Sequence, residues 1–492
     1  MRVQVKCLFQ IDGSGRWRHR PGLKKFLFQI DSSGRWRRQQ RVISLAGVLT
    51  GRHEAKIYSL ILLFVFLFVF KTAFTQQKAW GDDAGPLHRA EKALTDVVVH
   101  DVFSPNVASR IYAYANIAAY EVLVKQQAGY RSLYGQVKSF PQIPSPAGEI
   151  VPSLSAVYAF LQVGKKLVFS EPMLEDSITS LVTWYRTKNI PAKTYQASLA
   201  YGKQVADSVI KWLSADQYRE TRRIRRYNFS RQPGKWIPTP PGYMAAVEPY
   251  WNKIRTITLD SASQFKPELP TVFSSEKNSL FYKEAYTVYE AGIRITQDQK
   301  DIANFWDCNP FSLNTDGHLN FAGKKISPAG HWISIIGIAC RKAGKNLAAS
   351  AAAYTLTSIA LFDGFISCWD EKYRSNLIRP ETYINAHIDE SWRPLLQTPP
   401  FPEYTSGHSV ISTAAAVVLS ASFGPAFSFD DNSETDYGLP VRHFASFMAA
   451  ADEAAVSRLY GGIHYRPAIE NGQKQGKKVG EWVLAHIVLK QP

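Results

Sequence analysis

One stretch limits the fold more than any other. Residues 343–365, AGKNLAASAAAYTLTSIALFDGF, are apolar almost all round at helical spacing. A helix of that kind has no polar face to offer water and belongs inside a shell of other helices. The helical pattern recurs along the chain. Ser104-Pro105 reads as a helix start, with the serine as cap and the proline at the first helical position. Ala108, Ile111, Tyr112, Ala115, Ala118, Ala119 and Val122 then recur at three- and four-residue spacing. Similar patterns cover 154–168, 193–213, 278–294, 338–367, 409–423 and 441–460. Alternating runs bounded by turn signals are scarce, so the expected class is all-α, a large helical bundle. Proline-rich stretches near 141–152, 232–249 and 398–402 mark the main loops. The segment 217–275, rich in Arg, Pro and Trp and without a period, reads as a long excursion over the bundle.

Charge looks informative until it is split by region. Of the formal +17 on 492 residues, +11 lies within residues 1–75. The rest of the chain is only mildly basic, which suits an anionic substrate without requiring a nucleic-acid partner. Within the basic part, IYSLILLFVFLFVF (57–70) is an uninterrupted apolar run flanked by Lys56 and Lys71. Fourteen residues are short for a membrane span, which needs about 20. They suit the hydrophobic core of a secretory signal, with cleavage expected near Thr75. The expectation is an exported protein, periplasmic or secreted, with no stable membrane span after cleavage; a single anchor helix is the other reading. Upstream, FQIDGSGRWR (9–18) recurs as FQIDSSGRWR (28–37). This near-perfect tandem reads as an extension or local duplication rather than a basic binding arm. The expected organisation is a basic extension over 1–55, a signal over 56–75, an N-terminal helical part over 76–300 and a helical core over 301–492.

Cysteines add little. Cys7 lies in the leader, and Cys308, Cys340 and Cys368 match no zinc spacing and no disulfide framework. They read as small buried apolar residues, with one bridge at most.

Three segments carry the chemistry. In WDEKYRSNLIRP (369–380), Lys372 and Arg379 are seven residues apart, two helical turns, and are expected to project from one face. Pro380 places the guanidinium at a helix end facing a loop. Alone, such a pair is an ordinary solvated stripe. In FPEYTSGHS (401–409), Ser406 and Gly407 stand at a helix start, where free backbone N–H groups and the positive dipole end converge. A serine cap explains Ser406 but neither Gly407 nor His408. In SRLYGGIHYRP (457–467), Arg458 ends a helix, Gly461-Gly462 breaks it and His464 follows. Each of these pieces has a bland reading. Lysine, arginine, Ser-Gly, histidine, arginine and histidine in this order make a cage for a tetrahedral oxyanion. Arginines bind such an anion bidentately, and backbone amides cradle the remaining oxygens. One histidine attacks or ligates the central atom while the other handles protons.

The order K-x6-R-P, then S-G-H, then S-R-x5-H resembles the vanadium-dependent haloperoxidases and the related type 2 phosphatidic acid phosphatases and bacterial acid phosphatases. The core of the resemblance spans 369–470, and VFSPNVASRIYAYANIAAYEVL (102–123) resembles the N-terminal helical region of bacterial members. It implies the helical-bundle fold of that superfamily. It further implies that His464 is the vanadium ligand in a haloperoxidase or the nucleophile in a phosphatase, with His408 as acid–base residue. Lys372, Arg379, Ser406, Gly407 and Arg458 would hold the equatorial oxygens. Trp369 and Phe401 resemble residues beside the halide in chloroperoxidases, which favours the haloperoxidase branch. On that branch the cofactor is vanadate, acting as a Lewis acid at constant oxidation state. The partners are then hydrogen peroxide, halide and an organic acceptor, with His408 assisting peroxide deprotonation and Lys372 polarising it. On the phosphatase branch no cofactor is needed, the substrate is a phosphate ester and the same cage serves the phosphoryl group. A non-catalytic oxyanion-binding protein would need the cage but not His408. Two departures stand out. Thr405 replaces the proline that usually precedes S-G-H, which is expected to loosen that turn. No aspartate follows His464, leaving Glu470 as its possible orienting group. Asp307 is the expected acidic partner of Arg458 or, equally, a helix cap.

Overall fold

The computed structural model describes five short strands within residues 3–42, then residues 82–314, the strand residues 320–321 and residues 325–490. The chain divides into two units, Met1–Gln76 and Gln77–Pro492. In the first, each copy of the tandem repeat closes an antiparallel hairpin. β2 (Phe9–Ile11) pairs with β3 (Trp17–His19), and β4 (Lys24–Ile30) pairs with β5 (Trp36–Val42). β1 (Val3–Lys6) extends the second hairpin along β4. The equivalent pairs Ile11↔Trp17 and Ile30↔Trp36 keep one register in the two copies of the repeat. The apolar run at 57–70 and the cleavage position lie outside the described residues.

The second unit is helical, as the periodicity predicts. Its helices are α1 (Gly85–His100), α2 (Pro105–Val124), α3 (Pro152–Leu167), α4 (Glu171–Arg186), α5 (Ala192–Leu213), α6 (Tyr218–Thr221), α7 (Leu280–Ile293) and α8 (Gln297–Phe305). There follow α9 (Pro328–Lys342), α10 (Leu347–Ser375), α11 (Pro380–His387), α12 (Gly407–Phe423), α13 (Phe447–Tyr460) and α14 (Arg466–His486). Strand content in this unit is slight: β6 (Leu313–Asn314) pairs with β7 (Asn320–Phe321), and β8 (Phe429–Asp431) with β9 (Arg442–Phe444).

The all-round apolar helix is α10, and it occupies the place its composition demands. It packs on α2 from the N-terminal half and on α12 and α14 from the C-terminal half. By length and hydropathy it is long enough to cross a membrane, yet 89% of its apolar window is buried inside the unit. The continuous helical pattern expected over 338–367 is two helices. Gly344 takes a left-handed conformation (φ 58°) and Asn346 caps the next helix by accepting from Ala349 N–H. The chain therefore stops and restarts between α9 and α10. Ser104 caps α2 as expected, accepting from Val107 N–H at 3.4 Å.

The excursion over 217–275 is tied down by buried charge rather than by periodicity. Asp363, buried in α10, accepts from the backbone N–H of Ile257 at 2.8 Å and of Thr258 at 2.7 Å, and from the Thr258 hydroxyl at 2.6 Å. Asp216, where α5 gives way to the excursion, pairs with Arg110 at 2.6 Å and accepts from the Tyr114 hydroxyl at 2.9 Å. Further along, the Val247 carbonyl accepts from Trp369 Nε1 (3.2 Å) and Tyr373 Oη (2.7 Å). The excursion thus lies against the C-terminal end of α10.

Helix α14 buries a mixed face, in which glycines alternate with Ala468, Ile469, Val479 and Val483. Gly472, Gly476 and Gly480 repeat every four residues and let α14 lie against the backbone of α12. A methyl group at Gly476 would stand 2.1 Å from the Val410 carbonyl oxygen, and one at Gly472 2.8 Å from Ser409 Cβ. Gly476→Ala is expected to force the two helices apart and cost about 1–3 kcal/mol. Denaturant unfolding of the variant beside the parent measures that loss, and an unchanged midpoint would contradict the close approach.

Candidate active site

The residues singled out in the three segments come together at one cleft, each delivered by an element end. Lys372 is in the last turn of α10, which Asn376 terminates in a left-handed conformation (φ 50°). Arg379 lies beyond that break and is the N-cap position of α11, so the two do not share a helix face as their spacing suggests. It is the turn at 376–378, not the helical repeat, that aims both inward. Ser406 caps α12, accepting from Ser409 N–H at 3.3 Å, and Gly407 and His408 open the helix. Arg458 sits in the last turn of α13, and His464 follows the Gly461-Gly462 turn ahead of α14.

Gly407, His408, Arg458, His464, Trp369 and Phe401 line a cavity of about 40 Å³, a space for a small ion rather than a bulky organic molecule. The cations around it are buried and held by carbonyls. Lys372 Nζ donates to the carbonyls of Pro402 (3.0 Å) and Glu403 (2.9 Å). Arg379 donates from Nε to the Phe401 carbonyl and from Nη1 to the Ile463 carbonyl, both at 2.8 Å. Its Nη2 is buried and has no partner. Arg458 donates from Nη2 to the Trp306 carbonyl at 2.7 Å and from Nε to Ser457 Oγ at 2.9 Å. Burial pushes the Lys372 ammonium down to about 7 and the Arg379 guanidinium down to about 10. Burial lowers Arg458 as well.

Both histidines are held neutral. Burial first, then the charges of Arg379 and Lys372, keeps His464 well below the usual imidazole range. Burial and the Arg458 charge do the same for His408, whose Nε2 is buried without a partner. The tautomer of His464 follows from its neighbours. Arg379 Nη1 approaches Nε2 at 3.3 Å, and a guanidinium only donates, so Nε2 carries the lone pair. Nδ1 therefore carries the proton and donates to Glu403 Oε1 at 2.8 Å, an oxygen that also accepts from Tyr465 N–H at 3.0 Å. Burial pushes the Glu403 carboxyl up to about 8, against the pull of Arg379 and Lys372. Since Oε1 is the acceptor for both donors, a proton on Glu403 would sit on Oε2, and the His464 tautomer is unchanged.

Glu403 is the residue that sequence reasoning missed. The search for an orienting group ran downstream of His464, but Glu470 is exposed on α14 and takes no part. The usable signal was a carboxylate three residues before Ser406, inside a motif already singled out. The Asp307 assignment also needs correction. Asp307 forms an ion pair with Lys325, and Arg458 is held instead by the Trp306 carbonyl and Ser457. Asp307 does line the cleft and contributes its charge to Arg458 from a distance. The turn at Thr405 is braced rather than loosened. Its hydroxyl donates to Gln475 Oε1 at 2.7 Å, and Gln475 Nε2 donates to Ser367 Oγ at 2.9 Å, tying together α10, α12 and α14. Trp369 and Phe401 pack against each other with ring centroids 4.9 Å apart, and Lys372 Nζ lies over both rings. Cys308, Cys340 and Cys368 are buried and free.

Fold and cleft together describe a helical bundle with a small cavity lined by His408, Arg458 and His464, with Arg379 against His464 and Lys372 close behind. A family model described as the VCPO second helical-bundle domain matches residues 352–489. The structure of a bacterial vanadium-dependent iodoperoxidase is 49% identical to this chain, with a TM-score of 0.79 over 83% of this chain and 97% of that one. Holo and apo structures of a bacterial vanadium-dependent chloroperoxidase share the fold at 15% identity, with TM-scores of 0.60 and 0.59 over 78% of this chain and 94% and 95% of theirs. No curated protein sequence matches the chain significantly. The chain belongs to the vanadium haloperoxidase family and is an enzyme of that class.

Two outcomes test this geometry through the binding of orthovanadate, measured by equilibrium titration. Glu403→Leu removes the acceptor that orients His464 and is expected to weaken binding about 10–100-fold, with Glu403→Gln recovering part of the loss. Lys372 is charged below about 7 and loses its proton as pH rises, so affinity is expected to fall above that pH. Lys372→Met should be weaker at low pH and lack this component; parallel pH profiles for the two proteins would contradict the lowered lysine.

Proposed function

We propose that this protein is a vanadate-dependent haloperoxidase that oxidises iodide with hydrogen peroxide. The observation that carries the proposal is the pair of unpartnered donor and acceptor positions at one small cavity. Arg379 Nη2 and His408 Nε2 are buried with nothing to bind, beside a His464 Nε2 whose lone pair is free of protons. Buried polar groups are almost always satisfied, so this set anticipates an oxygen-rich anion. The donor set fits vanadate: an imidazole lone pair, an ammonium, two guanidiniums and the first amides of α12. His464 Nε2 would ligate it, with Lys372, Arg379, Arg458, Ser406 and Gly407 holding its oxygens.

Bound there, vanadate would supply Lewis-acid activation of peroxide without changing oxidation state. The protein's own residues would do the rest. His408, neutral, unpartnered at Nε2 and lining the cavity, is suited to take the proton that peroxide must lose. Lys372 and the arginines would balance negative charge in a space from which water is largely excluded. Gly407 presents no side chain there; a methyl group would meet only Trp369, at 3.6 Å, so the position is kept open toward the anion. The aromatic wall of Phe365, Trp369 and Phe401 favours a halide that sheds water cheaply. Desolvation cost falls as ionic radius grows, so iodide suits that wall better than chloride. The substrate of the 49% identical iodoperoxidase supports the same choice. The apolar run at 57–70 supports an exported protein, which N-terminal sequencing of the mature chain would test.

The test is iodide oxidation by the purified protein in hydrogen peroxide, before and after adding orthovanadate. Activity is expected to appear with vanadate, to fall with excess phosphate and to be absent in His464→Ala. Turnover in the His464→Ala variant, or turnover indifferent to vanadate, would overturn the proposal. Hydrolysis of phosphate monoesters, inhibited by vanadate and without halide oxidation, would move the protein to the phosphatase branch.

A further inference from the structure

A second cluster of donor atoms lies behind the cage, assembled from three segments far apart in sequence. Cys308 follows α8, His331 is in the first turn of α9, and Glu434 stands in the connection between β8 and β9. All three are buried, and their donor atoms lie within 4.8 Å of one another. Cys308 Sγ is 3.5 Å from His331 Nδ1, and Glu434 Oε1 is 3.1 Å from the same nitrogen. Glu434 Oε1 nevertheless makes no hydrogen bond. The S···N distance equals the edge of a zinc coordination tetrahedron, and the N···O contact is about 0.3 Å shorter than its edge. With zinc bonds of about 2.3 Å to sulfur and about 2.0–2.2 Å to nitrogen and oxygen, those edges are about 3.5 Å for S···N and about 3.4 Å for N···O. Among the described residues this is the one such group.

The far side of the imidazole supplies an independent observation. His331 Nε2 lies 2.8 Å from Asp431 Oδ2, and the other Asp431 oxygen is fixed by Ser433 N–H (3.0 Å) and Ser433 Oγ (2.6 Å). A carboxylate that accepts from one ring nitrogen leaves the other free to ligate, which is how metal-binding histidines are usually oriented. Here that other nitrogen is Nδ1, the one facing Cys308 and Glu434. One thiolate, one imidazole and one carboxylate select a borderline-soft divalent ion over calcium or magnesium.

We propose that Cys308, His331 and Glu434 bind a single zinc-class divalent cation, oriented by Asp431 and adjoining the cavity of the oxyanion cage, which Cys308 also lines. The ion's place in the fold gives it a structural task. The Trp306 ring stacks on His331 with centroids 4.5 Å apart, and the Trp306 carbonyl accepts from Arg458. A cation fixing His331 would therefore hold the wall on which Arg458 is mounted. Three protein ligands leave the fourth position to water.

The experiment uses the full protein without vanadate, so its outcome is independent of the function proposed for the cage. The protein is incubated with zinc chloride, freed of loose metal by gel filtration and analysed for metal. A parallel sample is loaded with cobalt(II) for its absorption spectrum. About one zinc per chain is expected, with a thiolate-to-cobalt charge-transfer band that disappears in Cys308→Ser. That variant keeps the side-chain shape and is expected to lose zinc affinity by tenfold or more. A thermal midpoint lowered by a strong chelator in the parent, but not in Cys308→Ser, would support the same assignment. Zinc well below one equivalent would overturn the proposal and leave His331 as a charged imidazolium held between two carboxylates. Full retention of zinc in Cys308→Ser would overturn it too, by placing the metal elsewhere.

Discussion

Three cations buried around one small cavity are the constraint on which the rest of the structure depends. Lys372, Arg379 and Arg458 are almost wholly removed from water. Desolvating a cation costs several kcal/mol unless its donors are satisfied and its charge is answered. Backbone carbonyls satisfy most of the donors, and they come from loops: Phe401, Pro402 and Glu403 on one side, Trp306 and Ile463 on the other. Carbonyl dipoles answer the hydrogen-bonding need but not the net charge. Glu403 is the carboxyl acting on Arg379 and Lys372, and burial holds it up to about 8, while Asp307 acts on Arg458 but is shared with Lys325. A pocket with this imbalance favours an anion of high charge density over any neutral ligand.

Holding those loops in register explains much of the surrounding architecture. The segment from Phe401 to Ser406 is short and irregular, so its position is set by what grips it. Arg379 and Lys372 grip its carbonyls, Gln475 grips Thr405, and Leu377 accepts from Glu403 N–H at 3.1 Å. Gln475 can reach because α14 lies close to α12, and that approach rests on Gly472 and Gly476. The glycine face, far from the reacting atoms in function, is thus adjacent to them in mechanics. A loss of close packing there would be felt first at the turn carrying Ser406, Gly407 and His408.

How much of this was legible in the sequence depends on which physical signal each part uses. Helices with an apolar stripe and a cap were readable: Ser104-Pro105 begins α2, and the pattern over 193–213 becomes α5. Helix α14 was harder to read, because glycines and the polar Asn471 and Gln475 interrupt the apolar positions Ala468, Ile469, Val479 and Val483 on its buried face. The excursion was visible only as an absence of period; what anchors it, Asp363 and Asp216, is buried charge that looks like any other acid in a linear string. At the site, motif order named Lys372, Arg379, Ser406, Gly407, His408, Arg458 and His464, and all reach the same cleft or its wall. Orienting groups were harder. A group that orients a histidine is chosen by spatial proximity, so Glu403 lies sixty-one positions from His464 while the nearby Glu470 is exposed.

The division between His464 and His408 follows from their partners rather than from their rings. Both are neutral, and both sit among cations. His464 has its Nδ1 proton committed to a carboxyl that is itself pinned by a backbone amide, so its free nitrogen is fixed in direction and suited to ligation. His408 has no such anchor at Nε2, and its ring stands at the start of α12, where the helix dipole opposes protonation. A group whose protonated form is disfavoured in the empty pocket becomes a better base once an anion has arrived to offset that field. The same anion that satisfies Arg379 Nη2 would therefore also raise the proton affinity of His408. On the proposed function, binding and proton handling would be coupled through one local charge, which would place the second histidine beside the anion rather than on it.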